Sequence, residues 1–296
     1  MKTVAIITPN YNRSSLLIRL YESLKRQTVE DFIWYVIDDG SRDDPSIIVN
    51  NFINENKVKI VFEKKSNGGK HTCINYALDL IKEPLVMIVD NDDMLCDNAI
   101  ETIIDDYQSI KDKESICGLG YLKAKFNNEL VGKPYTNDGI IDSFVNERYN
   151  KETYGDKCEV FKTEILKKYP FPVFDGENFI SEAVVWTKLS LDYKMRFFNK
   201  IIYLCEYQEG GLSDGVQKRL FKNPQGASLC YLNMTSKQFK LKYKIKYTVA
   251  YVMYSLAAHK KRKDIIKNAN SKFLCRLLYL PSKMLYKKRL KLYAEG

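Results

Sequence analysis

Short apolar runs alternate with amphipathic stretches through the first hundred residues of the chain. Residues 4–8, 32–37, 59–63 and 85–89 are brief and rich in β-branched and aromatic side chains, so they read as buried strands. Between them lie helical patterns. Residues 15–27 place Leu16, Leu17, Leu20 and Leu24 on one face, with Ser14 positioned to cap. Residues 43–54 carry Pro45 in the expected first turn, and residues 69–81 and 97–110 follow the same helical spacing. Strand-helix alternation of this kind predicts an α/β fold, a mostly parallel central sheet with helices on both faces.

From Cys117 onward the alternation breaks down. Strand-like pieces at 119–126, 159–161, 195–198 and 201–205 mix with helical patterns at 141–149 and 182–191. No Gly/Ser-rich or Pro-rich linker, internal repeat or low-complexity tract interrupts them, so residues 1–230 are expected to form one domain. Residues 231–296 differ in character: Lys interleaves with Tyr, Leu, Ile and Phe, as in 239–247. They predict a basic, amphipathic helical extension, its last piece (273–293) broken by Pro281.

Charge sharpens that division. Of the 47 Lys and Arg, 17 fall in residues 231–296 and 30 before them; of the 37 Asp and Glu, 2 and 35. The body is therefore net −5 and the extension net +15. Such a polycation expects an anionic partner. The seven cysteines form no C-x-x-C pair, and two histidines preclude a multi-histidine metal site. Free thiols without a disulfide framework point to a reducing cytoplasm. No signal peptide is read at the start, and the longest apolar-leaning stretch of the extension, residues 247–258, is too short to cross a bilayer.

Four polar segments fall at the carboxyl ends of the predicted strands: Thr8-Pro9-Asn10-Tyr11-Asn12-Arg13, Asp38-Asp39-Gly40-Ser41, Ser66-Asn67-Gly68-Gly69-Lys70-His71 and Asp90-Asn91-Asp92-Asp93. Singly, each reads equally well as a turn. Together, on one edge of one open sheet, they build a polar crevice where ligands of such sheets bind. Asp90 and Asp92 sit two apart on extended backbone and can face one ligand. Crowded carboxylates need a cation, and all-oxygen ligation suits Mg²⁺ or Mn²⁺. Gly68 and Gly69 precede a helix start, whose free amides are expected to hold phosphate oxygens, with Lys70 adding charge. Neither a dinucleotide nor a P-loop fingerprint is present.

These segments resemble the motifs of family 2 glycosyltransferases of the GT-A (Rossmann-like) fold, of the kind that build bacterial polysaccharides. The resemblance covers about residues 1–215. It implies an inverting transferase that uses a nucleotide-diphosphate sugar, such as a UDP-sugar, with Mn²⁺ or Mg²⁺. By that resemblance Thr8, Pro9, Tyr11, Arg13 and Asp39 line the base and ribose pocket. Gly68, Gly69, Lys70, Asp90 and Asn91 complete the nucleotide site, and Asp92 with Asp90 binds the metal. The family carries a Glu-Asp pair whose Asp is the general base; here Glu182 matches and Ala183 stands in the second place. Glu182 is the first candidate base and Glu177 the second. Trp186, beside Leu189, is read as core. Gly210-Gly211-Leu212-Ser213 resembles a loop of relatives, followed by Lys218 and Arg219 as candidate diphosphate ligands. The Gln-x-x-Arg-Trp motif of processive synthases is absent, which favours addition of single sugars. A saccharide or lipid-linked saccharide is the expected acceptor. The extension is expected to bind an anionic membrane surface on the cytoplasmic side, Tyr247, Val249, Tyr251, Val252 and Tyr254 inserting, and no nucleic acid. The rival for the extension is a solvated helix pair packed on the body. Rival functions are a degenerate nucleotide-sugar-binding subunit, which Ala183 would suit, and a nucleotidyltransferase of similar fold.

Overall fold

Nine strands are present in the computed structural model, which describes residues 2–206 and 215–294. They are β1 (Val4–Asn10), β2 (Phe32–Asp38), β3 (Ile60–Lys64), β4 (Leu85–Ile88), β5 (Met94–Leu95), β6 (Ile116–Lys125), β7 (Ile140–Asp142), β8 (Lys157–Lys162) and β9 (Lys194–Cys205). All join one sheet in the order β3-β2-β1-β4-β8-β6-β9-β5, with β7 also on β9. The pairings set β1, β2, β3, β4, β6 and β9 running one way and β5, β7 and β8 the other. The mostly parallel sheet is therefore as expected. Because β2 lies on one side of β1 and β4 on the other, the chain changes winding direction at β1. The carboxyl ends of β1 and β4 flank that switch point, where open α/β sheets bind ligands.

Both faces of β1 and β2 are buried, hence their near-continuous apolar character. Val4 and Ile6 share one core with Trp34 and Met87 and with three helices, α1 (Leu17–Lys25), α2 (Ser46–Glu55) and, beyond α3 (Lys70–Leu80), α4 (Ala99–Tyr107). The Tyr21 and Phe52 rings stack there at 4.0 Å beneath Trp34. On the other face, α3 packs against β1 and β2, with Cys73, Ile74, Ala77 and Leu78 buried. A single short turn, α5 (Thr163–Leu166), follows β8.

Several local expectations are corrected. The first helix opens as a 3₁₀ turn, and Ser14 does not cap it: its amide donates to Asp43 Oδ2 at 2.8 Å, and its buried hydroxyl makes no hydrogen bond. The two pieces at 195–198 and 201–205 are one strand, β9. Its register against β6 slips twice around Leu122, absorbing the polar Asn199-Lys200 break. Residues 141–149 split into β7 and a π-helical turn, Asn146–Asn150.

The chain divides into two compact units, one holding residues 1–170 and 192–206, the other 171–191 and the remainder. The boundary drawn at 230/231 falls inside a helix, α8 (Pro224–Asn233), because residues 171–191 group with the C-terminal helices. That second unit is helical where described: α6 (Ala183–Leu189), α7 (Val216–Lys222), α8, α9 (Leu241–Ala257), α10 (Arg262–Asn268) and α11 (Lys272–Ala294). It has its own apolar core. Tyr251 and Val252 of α9 pack with Ile265, Cys275 and Tyr279, while Met253 and Tyr254 pack with Leu220 and Ala227, and Tyr231 stacks on Tyr254. Tyr251, Val252 and Tyr254 are therefore core residues, unavailable for membrane insertion. Pro281 does not break the last helix. α11 runs through it, and the Ser282 hydroxyl donates to the Leu278 carbonyl at 2.6 Å, satisfying a neighbouring acceptor.

Candidate active site

The four polar segments form one closed hydrogen-bonded ring at the carboxyl ends of β1 to β4. Asn10, at the end of β1, donates from Nδ2 to Ser41 Oγ at 3.3 Å, and the Asn12 amide donates to the same hydroxyl at 2.9 Å. Asp39, just past β2, accepts from Gly68 N at 3.0 Å and Gly69 N at 2.7 Å. Lys65 Nζ and Asn67 Nδ2 reach the same carboxylate at 2.7 and 3.1 Å. Lys70 Nζ then pairs with Asp90 at 2.6 Å, Arg13 Nη1 with Asp92 at 3.2 Å, and Asn91 Nδ2 with Asn10 Oδ1 at 2.8 Å. Sequence alone placed these segments on one edge; the structure links each to the next.

The ring also gives several of these residues partners within the chain. The amides of Gly68 and Gly69, expected to be free for phosphate, hold the Asp39 carboxylate instead. Asp39 itself is buried and fully engaged, so it anchors the glycine turn. Gly68 has no room for a side chain: a Cβ there would lie 2.8 Å from Thr72 Oγ1. Gly69 takes φ +92°, open to glycine alone at little cost. Thr8 is buried and turns into the sheet, where its hydroxyl accepts from Trp34 Nε1 at 2.9 Å. Pro9 lies within β1 and Asn91 is buried against Asn10. Tyr11, by contrast, is 46% exposed beside the ring.

The acidic turn is balanced internally. Burial pushes the Asp90 carboxyl up, but Lys70, Lys123 and Arg13 outweigh it and hold its pKa below the ordinary carboxylate value. Burial, with the Asp90 charge behind it, raises Asp92. Asp93 is buried more deeply and is pushed up to about 7 by burial, with Asp90 and Asp92 adding to the rise and Lys123 opposing it. Lys70 and Arg13 thus act on both Asp90 and Asp92, and Lys123 on Asp90 as well. No group of three or more Asp, Glu, His or Cys residues among the described residues could by itself hold a metal ion. Asp90 and Asp92 offer hard oxygen ligands all the same. Mg²⁺ and Mn²⁺ suit such oxygen donors, and Mg²⁺ commonly takes one or two carboxylates and completes its shell with substrate phosphates and water. The donor set fits such a cation together with a bound diphosphate.

Two residues from distant strands complete the site and were not singled out in the sequence. Tyr203 of β9 donates to Asp93 Oδ2 at 2.7 Å and accepts from the Asp90 amide at 3.0 Å. Lys123 of β6 lies 3.8 Å from the centre of the Tyr203 ring; burial acts to lower its pKa, and Asp90 and Asp93 raise it further than burial lowers it. No local motif marks either one, because their partners are strands away.

The candidate bases lie in the second unit. Glu177 is buried, and its carboxylate accepts from Gln225 N at 2.6 Å and Gly226 N at 2.8 Å. It caps the start of α8. Glu182 occupies the N-cap position of α6, is half-buried and makes no side-chain cap bond there. Trp186 is core, edge-on to Phe171, as expected. Arg219 lies over the Phe179 ring and Lys218 is exposed, while residues 210–213 lie outside the described residues.

The sequence profile described as "Glycosyl transferase family 2" matches residues 5–169. Glycosyltransferase GlyG of Streptococcus pneumoniae serotype 4 is 23% identical over 220 residues, spanning 71% of this chain and 72% of that protein. The GalNAc(5)-diNAcBac-PP-undecaprenol beta-1,3-glucosyltransferase of Campylobacter jejuni is 26% identical over 203 residues, 67% of this chain and 62% of that protein. Among solved structures, S. aureus TarS 1-349 in complex with UDP-GlcNAc superposes with a TM-score of 0.64 at 17% identity, over 99% of this chain and 92% of that one. The GT-A fold expected from the motifs is thus the fold of this chain.

Proposed function

The chain belongs to glycosyl transferase family 2 and is a glycosyltransferase; from that premise we propose that it moves one sugar from a UDP-sugar, with inversion, onto a lipid-linked saccharide. The observation that carries the donor half is the closed ring at the β1/β4 switch point, where paired carboxylates stand beside Arg13 and Lys70. Tyr11 offers an exposed ring for a base to stack on. In this reading Lys70 and Arg13 supply positive charge to the diphosphate oxygens. UDP as the nucleotide is supported by a neighbour of the same fold that binds UDP-GlcNAc. The lipid-linked acceptor is supported by the undecaprenol-linked substrate in the Campylobacter relative's name and by the basic extension.

In this reading Glu182 takes the proton from an acceptor hydroxyl as its oxygen attacks the anomeric carbon. The bond from that carbon to the diphosphate breaks, and UDP leaves with the electron pair. Asp92 and Asp90 hold Mn²⁺ or Mg²⁺, which when bound supplies positive charge against the leaving diphosphate. Tyr203 and Asn10 fix the backbone that carries those carboxylates. Glu177 is the weaker base candidate because both its oxygens are committed to amides of α8. Ala183 favours one second reading, a sugar-nucleotide-binding subunit without turnover. An assay with UDP-sugars, Mn²⁺ and a lipid-linked saccharide separates the two. Transfer that is lost in Glu182→Gln supports the enzyme; donor binding with neither transfer nor hydrolysis supports the subunit.

A further inference from the structure

One face of α11 is apolar and uncovered. Phe273, Leu277, Leu280 and Met284 are 73, 62, 66 and 73% exposed. At about 100° per residue these four fall within roughly 60° of one another and run about 16 Å along the helix. The opposite face carries Cys275, Tyr279 and Ser282, all buried, and Leu285 and Tyr286 pack against the second unit's core. The stripe is thus the side turned away from the helices that α11 packs on. It is not a face left over from folding, since four neighbouring large apolar groups are concentrated there.

Charge identifies what would cover it. Between Lys272 and Ala294 the helix holds seven Lys and Arg and no Asp or Glu. Arg276, Lys283 and Lys287 border the stripe along one edge, and Lys288 and Lys291 continue it toward the C-terminus. A second copy docked through this face would bring two such polycations together with no counter-charge. An anionic bilayer surface supplies both missing complements: hydrocarbon for the stripe and headgroup charge for its borders. No helix of the described residues is long and apolar enough to cross a membrane, so α11 would lie in the interface plane.

We propose that α11 docks flat on an anionic membrane through Phe273, Leu277, Leu280 and Met284. The proposal deepens the reading of a lipid-linked acceptor and rests on it for its purpose, while its physical basis is independent. It also moves the membrane contact from the expected α9 residues, of which Tyr251, Val252 and Tyr254 are core, to α11.

Flotation of the full chain with vesicles tests it, using phosphatidylcholine alone and phosphatidylcholine with phosphatidylglycerol. The full chain is expected to float with the anionic vesicles, in part even at high salt. Replacing all four stripe residues by Ser should cut partition by roughly tenfold or more and leave only salt-sensitive binding. Arg276→Gln with Lys283→Gln and Lys287→Gln should weaken the preference for anionic lipid. Single changes, Phe273→Ser and Met284→Ser, give smaller losses and cover the case in which the fourfold variant does not fold. Wild-type partition in the fourfold variant overturns the proposal, as does a dimer that these changes dissociate and that binds no vesicle. A UDP thermal shift on the same samples separates the two readings. Floating without a response to UDP contradicts the donor assignment alone, and a UDP response without floating contradicts the docking face alone.

Discussion

Tyr203 is the residue on which the acidic turn depends most, since one hydroxyl ties the Asp90 amide to the Asp93 carboxylate. Tyr203→Phe keeps the ring and removes both bonds. It is expected to cost about 1–3 kcal/mol of stability, the usual scale for stranding buried polar groups. It should also lower kcat/KM for the donor by roughly tenfold, because a loosened turn misplaces Asp90 and Asp92. Unchanged donor kinetics would show that the turn holds its shape without Tyr203. Asp39→Ala strands Lys65 and the amides of Gly68 and Gly69 together, so a loss of about 3 kcal/mol is expected in chemical denaturation. A smaller loss, under about 1 kcal/mol, would mean that water replaces the carboxylate without cost. Much of this site was legible at the residue scale. Arg13, Lys70, Asp90 and Asp92 sit in motifs whose composition announces a crevice. Tyr203 was not legible, because its partners lie 110 and 113 positions earlier in sequence and only sheet pairing brings them close. Nor was the role of Asp39, since an Asp after a strand looks alike whether it faces a ligand or a glycine turn.

Elements were read best where packing is two-sided and worst where the backbone is irregular. β1, β2 and β4 declare themselves because burial on both faces forces continuous apolar runs. β9 was split in two, because the polar Asn199 and Lys200 sit at its register slips. α11 was cut at Pro281, because a proline penalty is local while the helix is held by packing along its length. The two glutamates divide along the same line. Glu177 belongs to an element, capping α8 through two amides, so Glu177→Gln should lower the melting free energy by about 1–2 kcal/mol and barely change the rate. Glu182→Gln should leave thermal stability nearly intact and cut transfer by roughly 10²-fold. Thermal melts and turnover measured side by side check both; the reverse pattern would make Glu177 the base.

At the scale of the whole molecule, an α/β unit carries the hydrogen-bonded ring and a helical unit carries the basic extension. The split of −5 against +15 was plain in the sequence, but the grouping of residues 171–191 with the C-terminal helices was not. That grouping is set by contacts among distant segments and leaves no change of composition at its boundary. The central claim is that the ring at the β1/β4 ends binds a UDP-sugar with a divalent cation at Asp92. The most direct test is a thermal-shift titration of the full chain and of Asp92→Asn against UDP-, GDP- and dTDP-sugars, with and without Mn²⁺. A ligand at about 100 times its dissociation constant adds about 2.7 kcal/mol to the folded state, a shift of several degrees. UDP-sugars are expected to raise the wild-type melting temperature, Mn²⁺ to enlarge the rise, and Asp92→Asn to abolish the Mn²⁺-dependent part. No response to any nucleotide sugar, or an equal Mn²⁺-dependent rise in Asp92→Asn, would contradict that claim.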